Sequence, residues 1–261
     1  MTIFIDSHTH IYSEEFDSDR GAVIERALCQ GVTQLILPDT GSKSRKQMLD
    51  TCDEYPDVCF PLLGIHPTEV GEDYRDELHG LEAALDSRQI YGIGECGLDL
   101  YWDTTFYKEQ IIVFERQIAI AECLHLPLVI HSRNAMKEVI GILEKHPQVK
   151  GIIHCFSGDV EDAKNCIDMG YLLGIGGIVT FKNSHLPGVL QEIGSSALVL
   201  ETDAPYLAPV PHRGTRNESS YIPLIAGKIA EILDEDIKNI AEITTRNAMG
   251  VLSLRTTPAC V

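Results

Sequence analysis

Short apolar runs and longer amphipathic ones alternate along all 261 residues, and that alternation restricts the fold more than any other feature. The apolar runs are TIFID (2–6), TQLILPD (33–39), VCFPLLGIH (58–66), IYGIGE (90–95), LPLVIH (126–131), KGIIHC (150–155), YLLGIGGIV (171–179) and ALVLETD (197–203). Each is rich in Ile, Val and Leu and reads as a strand covered on both faces. Between them the period becomes helical, as in YKEQIIVFERQIAIAECLH, where Ile111, Phe114, Ile118, Ala121 and Cys123 make a stripe. Buried strands joined by helices run parallel, and eight such units predict the α/β class as a closed (β/α)8 TIM barrel; a doubly wound open sheet is the alternative. Helical segments near 222–233 and 236–250 close the chain after an aperiodic loop at 204–220. Residues 1–254 are thus read as a single TIM-barrel domain and 255–261 as a tail.

In such a barrel the C-terminal ends of the strands open into one mouth, where catalytic and metal-binding groups gather. Run one ends in D-S-H-T-H, and others bring His66, Glu95, His131, His154 and Asp203 to their ends, so six of eight ends carry a His or an acid in the position expected to reach the mouth. His8 and His10, two residues apart on an extended chain, point to the same side and can grip one ion. Buried imidazoles without partners are costly, and a divalent cation satisfies several at once. Glu95 and Asp203 add anionic oxygens, and a carboxylate can bridge two ions about 3.5–4 Å apart. Five or six N/O donors exceed the need of one four-coordinate zinc, which favours two divalent ions (Mg, Mn or Zn), although a single octahedral ion also accommodates the set. Taken singly each residue reads equally well as a hydrogen-bonded core group. His79, His125, His146 and His185 fall in helical or loop segments, and Cys96 and Cys155, next to two of the donors on their strands, are expected to face away from the site.

Other chemistries are excluded by detail. Gly92, Gly94 and Gly97 spell G-x-G-x-x-G, but LDLYWDTTF follows instead of a helix, and Glu95 between the glycines would oppose a pyrophosphate. There is no G-x-S-x-G and no G-K-[ST]. Eight cysteines without a C-x-x-C pair read as reduced thiols. MTIFI lacks a basic leader, and no run approaches the about 18 apolar residues of a membrane helix. A cytoplasmic monomer with no membrane partner is expected. With 21 basic against 39 acidic residues the net charge is −18, so a nucleic-acid partner requires a local cationic site.

The blocks D-S-H-T-H, G-I-H-P (64–67), G-E-C-G-L-D (94–99), P-L-V-I-H-S-R (127–133), H-C-F-S-G (154–158), E-T-D-A-P-Y-L-A-P (201–209) and R-G-T-R-N-E (213–218), in this order, resemble the TatD family of metal-dependent deoxyribonucleases, a branch of the amidohydrolase-type (β/α)8 hydrolases. The resemblance implies that His8, His10 and Asp203 hold one ion, His131 and His154 the other, and that Glu95 bridges them. It also implies hydrolysis of DNA phosphodiesters by metal-activated water, with Asp203 and Glu95 catalytic and the ends of single-stranded or frayed DNA as substrate. His66, Arg133, Arg213 and Arg216, with His212, are candidates to bind the charged phosphate. Arg133 reads equally as an internal ion-pair partner, Arg213 and Arg216 as a solvated loop, and Tyr101, Trp102 and Phe181 as base-stacking or loop-packing rings. Two departures are visible: Ser219 follows Asn217-Glu218 where family members often carry Pro, and Leu100 intervenes before Tyr101 and Trp102. A metallohydrolase of small amides or lactones on the same barrel, and a non-catalytic binding protein, are the competing readings.

Overall fold

A computed structural model describes residues 2–85 and 88–254; the tail expected at 255–261, with Cys260, lies outside the described residues. Eight strands appear among the described residues: β1 Phe4–Asp6, β2 Val32–Pro38, β3 Cys59–Leu62, β4 Ile93–Asp99, β5 Leu128–Arg133, β6 Gly151–Ile153, β7 Leu172–Ile175 and β8 Leu198–Leu200. All pair in parallel with their sequence neighbours, as β1-β2-β3 and β4 through β8. A bridge between Leu63 and Ile93 joins the two groups on one side. On the other, Ser7 N donates to Leu200 O at 2.9 Å and Thr9 bridges to Ala204, so the ring closes. The fold is the (β/α)8 TIM barrel, and the open doubly wound sheet is excluded.

Around the ring lie α1 Arg20–Cys29, α2 Ser42–Glu54, α3 Tyr74–Leu85, α4 Tyr107–Leu124, α5 Met136–Leu143, α6 Val160–Asp168, α7 Leu186–Ile193, α8 Ile222–Leu233 and α9 Ile237–Val251. Strand residues alternate between two apolar clusters. Leu35, Leu37, Leu128, Ile130, Ile153, Leu198 and Leu200 pack with the helices, whereas Ile5, Ile36, Phe60, Leu62, Val129, Ile152 and Val199 form a separate inner group with Ala248, Leu252 and Leu254. Each such side chain contributes about 1.5–3 kcal/mol on burial. The inner group also sets where chemistry emerges: one same-face step beyond Val129, Ile152 and Val199 come His131, His154 and Glu201.

Three local expectations change. The fourth strand runs to Asp99 rather than ending at Glu95, because residues 96–99 pair with 130–133 of β5. Its three glycines therefore lie along and just before a strand pressed on β5, not in a strand-to-helix turn. Gly97 has φ 131°, and a Cβ there would sit 2.0 Å from His131 O. The seventh run stops as a strand at Ile175 and turns through Gly177–Thr180, whose Thr180 Oγ1 accepts from Val210 N at 2.9 Å and docks the loop after β8. On α4, Cys123 is exposed, while Val113, Phe114, Gln117, Ile118, Ile120 and Ala121 are buried. Gln117 belongs to the buried face because it bonds both Ile65 N (2.8 Å) and Ile65 O (3.2 Å), fixing the turn before His66. No helix among the described residues is long and apolar enough to cross a membrane.

Candidate metal centre

The chain past β1 stays extended between its two neighbours: Thr9 N donates to Ile36 O (3.0 Å), His10 N to Ala204 O (2.8 Å), and Asp203 N to His8 O (2.9 Å). Asp6, fully buried, ties this segment to the end of β8 by accepting from Thr202 Oγ1 (2.6 Å), Thr202 N (2.9 Å) and His8 N (3.3 Å). Burial pushes its carboxyl up to about 7, against the pull of those hydrogen bonds.

Seven side chains from six strands then converge. His8 Nε2 lies 3.2 Å from His10 Nε2, 3.2 Å from Glu95 Oε2 and 3.8 Å from Asp203 Oδ1. His10 Nε2 lies 3.6 Å from Glu95 Oε2 and 3.4 Å from Asp203 Oδ1. Donors held about 2.0–2.2 Å from a central ion in a tetrahedron stand about 3.3–3.6 Å apart, and His8, His10 and Glu95 form one group close enough to share a cation, with His8 also grouped with His154 and Asp203. The other Glu95 oxygen, Oε1, faces a different set: His131 Nδ1 at 2.9 Å, His66 Nε2 at 3.3 Å and His154 Nε2 at 3.8 Å. One carboxylate thus turns its two oxygens to two groups of nitrogens.

Supporting groups orient the rings. Tyr12 donates its hydroxyl proton to Pro38 O (2.7 Å), so it accepts from His10 Nδ1 (2.9 Å) and leaves His10 Nε2 as a lone pair toward the site. Asp99 Oδ2 takes His131 Nε2 at 3.0 Å, leaving Nδ1 for the centre. Glu201 Oε1 lies 3.0 Å from His154 Nδ1 and accepts from Cys155 N at 2.6 Å. His66 differs: its Nδ1 accepts from Thr68 N (3.1 Å), so its Nε2 carries the proton and faces the site as a donor. Burial lowers the His66 pKa, which keeps the ring neutral in that form.

The electrostatics favour added positive charge. Burial alone would hold Glu95 protonated, but His66, His8 and His131 outweigh it and keep its carboxyl well below the usual range. Burial likewise opposes the charge on Asp203, and His10, His154 and His8 prevail. His8, lowered to about 4 by burial and by His154, stays neutral. At His154 burial opposes protonation, yet Glu201, then Glu95 and Asp203, lift the ring to about 10. A divalent ion held by these residues would supply the same countercharge.

Asp99, Glu201 and Tyr12 were not singled out by sequence. Glu201 and Asp203 are two apart, as are the alternate positions Glu95, Gly97 and Asp99, and that spacing was the available signal. The expectation for Cys155 is corrected: its φ of 46° breaks the strand alternation, and its Sγ lies within 4.8 Å of donor atoms of His154 and Glu201. Burial, with Asp203, Glu201 and Glu95 nearby, pushes that thiol well above its usual pKa. Cys96 is buried and donates to Val129 O (3.5 Å).

The cationic candidates divide. Arg133 is exposed over the Tyr101 ring at 4.0 Å, and Arg213 is exposed over Phe181 at 4.4 Å. Arg216 is paired: it grips Asp19 with two hydrogen bonds (2.8 and 2.7 Å) and donates to Glu15 O (2.6 Å), which anchors the loop. His212 stacks on Tyr221 with ring centroids 4.1 Å apart.

Imidazoles and carboxylates converging at the strand ends are how barrel hydrolases hold divalent cations, and the chain falls in that class, the metal-dependent hydrolases. The family model described as TatD related DNase matches residues 5–253, and the chain belongs to that family. It is similar to the uncharacterized metal-dependent hydrolase YabD of Bacillus subtilis (strain 168), 37% identical over 94% of this chain and 97% of that protein. It is also similar to the 3'-5' ssDNA/RNA exonuclease TatD of Pantoea ananatis (strain LMG 20103), 32% identical over 95% of this chain and 99% of the other. Among solved structures, YJJV, a TatD homolog from Escherichia coli K12, superposes with a TM-score of 0.91 at 27% identity, covering 97% and 98% of the two chains.

Glu201→Gln is expected to weaken divalent-metal binding about 10–100-fold, the usual cost of losing a ligand's carboxylate partner, with a calorimetric manganese titration as the check. Unchanged affinity would show that Glu201 does not support His154.

Proposed function

We propose that this protein hydrolyses phosphodiester bonds in DNA, working from single-stranded or frayed ends with two divalent cations (Mg, Mn or Zn). The observation that carries the reading is the division of Glu95: Oε2 toward His8 and His10, Oε1 toward His131 and His154. In this assignment His8, His10 and Asp203 hold one cation, His131 and His154 the other, and Glu95 both. When bound, the cations supply Lewis acidity and a water of lowered pKa. Asp203 turns Oδ1 to the imidazoles, and we assign Oδ2 to orient the attacking water, take its proton and pass it to the leaving oxygen. His66 Nε2–H donates to a non-bridging phosphate oxygen as charge grows there, and Arg133 and Arg213 supply the nearby positive charge. These few cations answer the net charge of −18, because recognition is local. The name of the Pantoea ananatis relative adds 3'-5' polarity and RNA to the substrates worth testing. The family match over 5–253 supports residues 1–254 as the working domain.

The test is end-labelled single- and double-stranded DNA and RNA incubated with the chelated enzyme and then with each ion in turn. Stepwise shortening of single strands, absent under chelator and restored by metal, is the expected result. Turnover of lactones or cyclic amides alone would transfer the site to the competing hydrolase reading. No turnover with any ion would favour a binding protein.

A further inference from the structure

Six arginines, Arg20, Arg26, Arg45, Arg88, Arg116 and Arg216, each have a carboxylate partner. Arg133 has none among the described residues, although the chain carries 39 acidic side chains. Its guanidinium lies over two rings instead, 4.0 Å from the Tyr101 centroid and 5.1 Å from that of Trp102. Those rings meet edge to face at 4.9 Å and are 53% and 67% exposed, so they do not serve as core. They are nevertheless held firmly. Tyr101 N (2.9 Å) and Trp102 N (3.1 Å) both donate to Asp99 Oδ1, whose other oxygen meets His131 Nε2 at 3.0 Å, and Leu100 N donates to Arg133 O at 2.9 Å. One carboxylate therefore ties an exposed aromatic pair to a side chain of the metal centre.

We propose that Tyr101, Trp102 and Arg133 form a nucleobase platform beside the metal centre: a base stacks on the exposed rings while the guanidinium meets that nucleotide's phosphate. Arginine suits both tasks, since it stacks on aromatic faces and pairs with phosphate, and stacking accepts any base. The inference rests on the nuclease reading above. The platform confers preference for base-bearing single strands, whereas the metal centre needs only the phosphodiester.

Trp102 is the one tryptophan of the sequence, so its emission reports on the platform directly. The metal-loaded enzyme is titrated with a hydrolysis-resistant phosphorothioate oligothymidylate and with an abasic oligomer of equal length. Quenching by the first and about 10-fold weaker binding of the second are expected. In cleavage assays on ordinary phosphodiester oligomers, Trp102→Ala should raise KM for base-bearing DNA about 10-fold, toward that for abasic DNA, Trp102→Phe should recover most of the loss, and Arg133→Met should weaken both substrates alike. A wild-type enzyme that cleaves both oligomers equally well, or a Trp102→Ala enzyme that keeps the wild-type preference for bases, overturns the platform alone. Failure of the wild type to cleave any oligonucleotide with any ion overturns the nuclease reading and the platform together.

Discussion

Asp203→Asn is expected to slow hydrolysis on the order of 10³-fold while leaving the fold intact, a loss within the range of a removed acid–base group. Asp203 has φ 55°, a left-handed conformation that Asn tolerates better than most residues, and its backbone N–H bonds His8 O irrespective of side chain. The amide keeps the size of the side chain and an oxygen that can face His10, 3.4 Å away, and His8 and His154, each 3.8 Å away. What disappears is the negative charge and the capacity to accept a proton from water. The effect should therefore fall on kcat more than on KM, with the thermal midpoint moved by only a few degrees. Metal content after dialysis, kcat for a labelled oligonucleotide and a melting curve are the three measurements. A variant with wild-type kcat would remove Asp203 from proton transfer, and one that melts far below the wild type would show that it mainly supports the barrel.

The candidate donors were readable because a barrel puts function where apolar runs end, and each of His66, Glu95, His131, His154 and Asp203 lies at or next to the end of such a run. Their supports were harder to read. Asp99 and Glu201 act through rings contributed by other strands, and Tyr12 acts through a carbonyl 26 residues away, at Pro38. Gln117 breaks the apolar stripe of α4 because its work is to satisfy the Ile65 backbone 52 residues away. Arg216 pairs with Asp19, 197 residues distant, a pairing no local pattern discloses. Cys155 escaped because strand alternation assumes extended backbone, and the chain turns at that residue. Local periodicity locates side chains along an element; it does not say which distant group they meet.

Arg45→Met is expected to cost about 3–5 kcal/mol at neutral pH, the range for stripping one partner from a buried ion pair, or roughly 6–20 °C in the melting midpoint. Asp39, at the end of β2, is fully buried, and Arg45 Nε on α2 meets its Oδ2 at 2.6 Å. The same carboxylate accepts from Gly41 N at 3.0 Å, and the Asp39 carbonyl accepts from Glu95 N at 2.9 Å, so one backbone hydrogen bond links the pair to Glu95. Burial raises the Asp39 carboxyl from 3.8 to about 6 even though Arg45 pulls it down. A carboxyl whose pKa is higher folded than unfolded favours folding fully below the unfolded value, and this contribution is lost as pH rises through the folded value. Removing Arg45 lifts the folded value further, so the variant should lie closest to the wild type near pH 5 and fall furthest behind near pH 8. Paired melts at those two pH values test the sign. Adding Asp39→Asn should return part of the lost stability at pH 8, because the amide has no charge left to bury. An Arg45→Met protein equally weakened at both pH values would instead mean that the alkyl packing of Arg45, not its charge, holds this corner of the barrel.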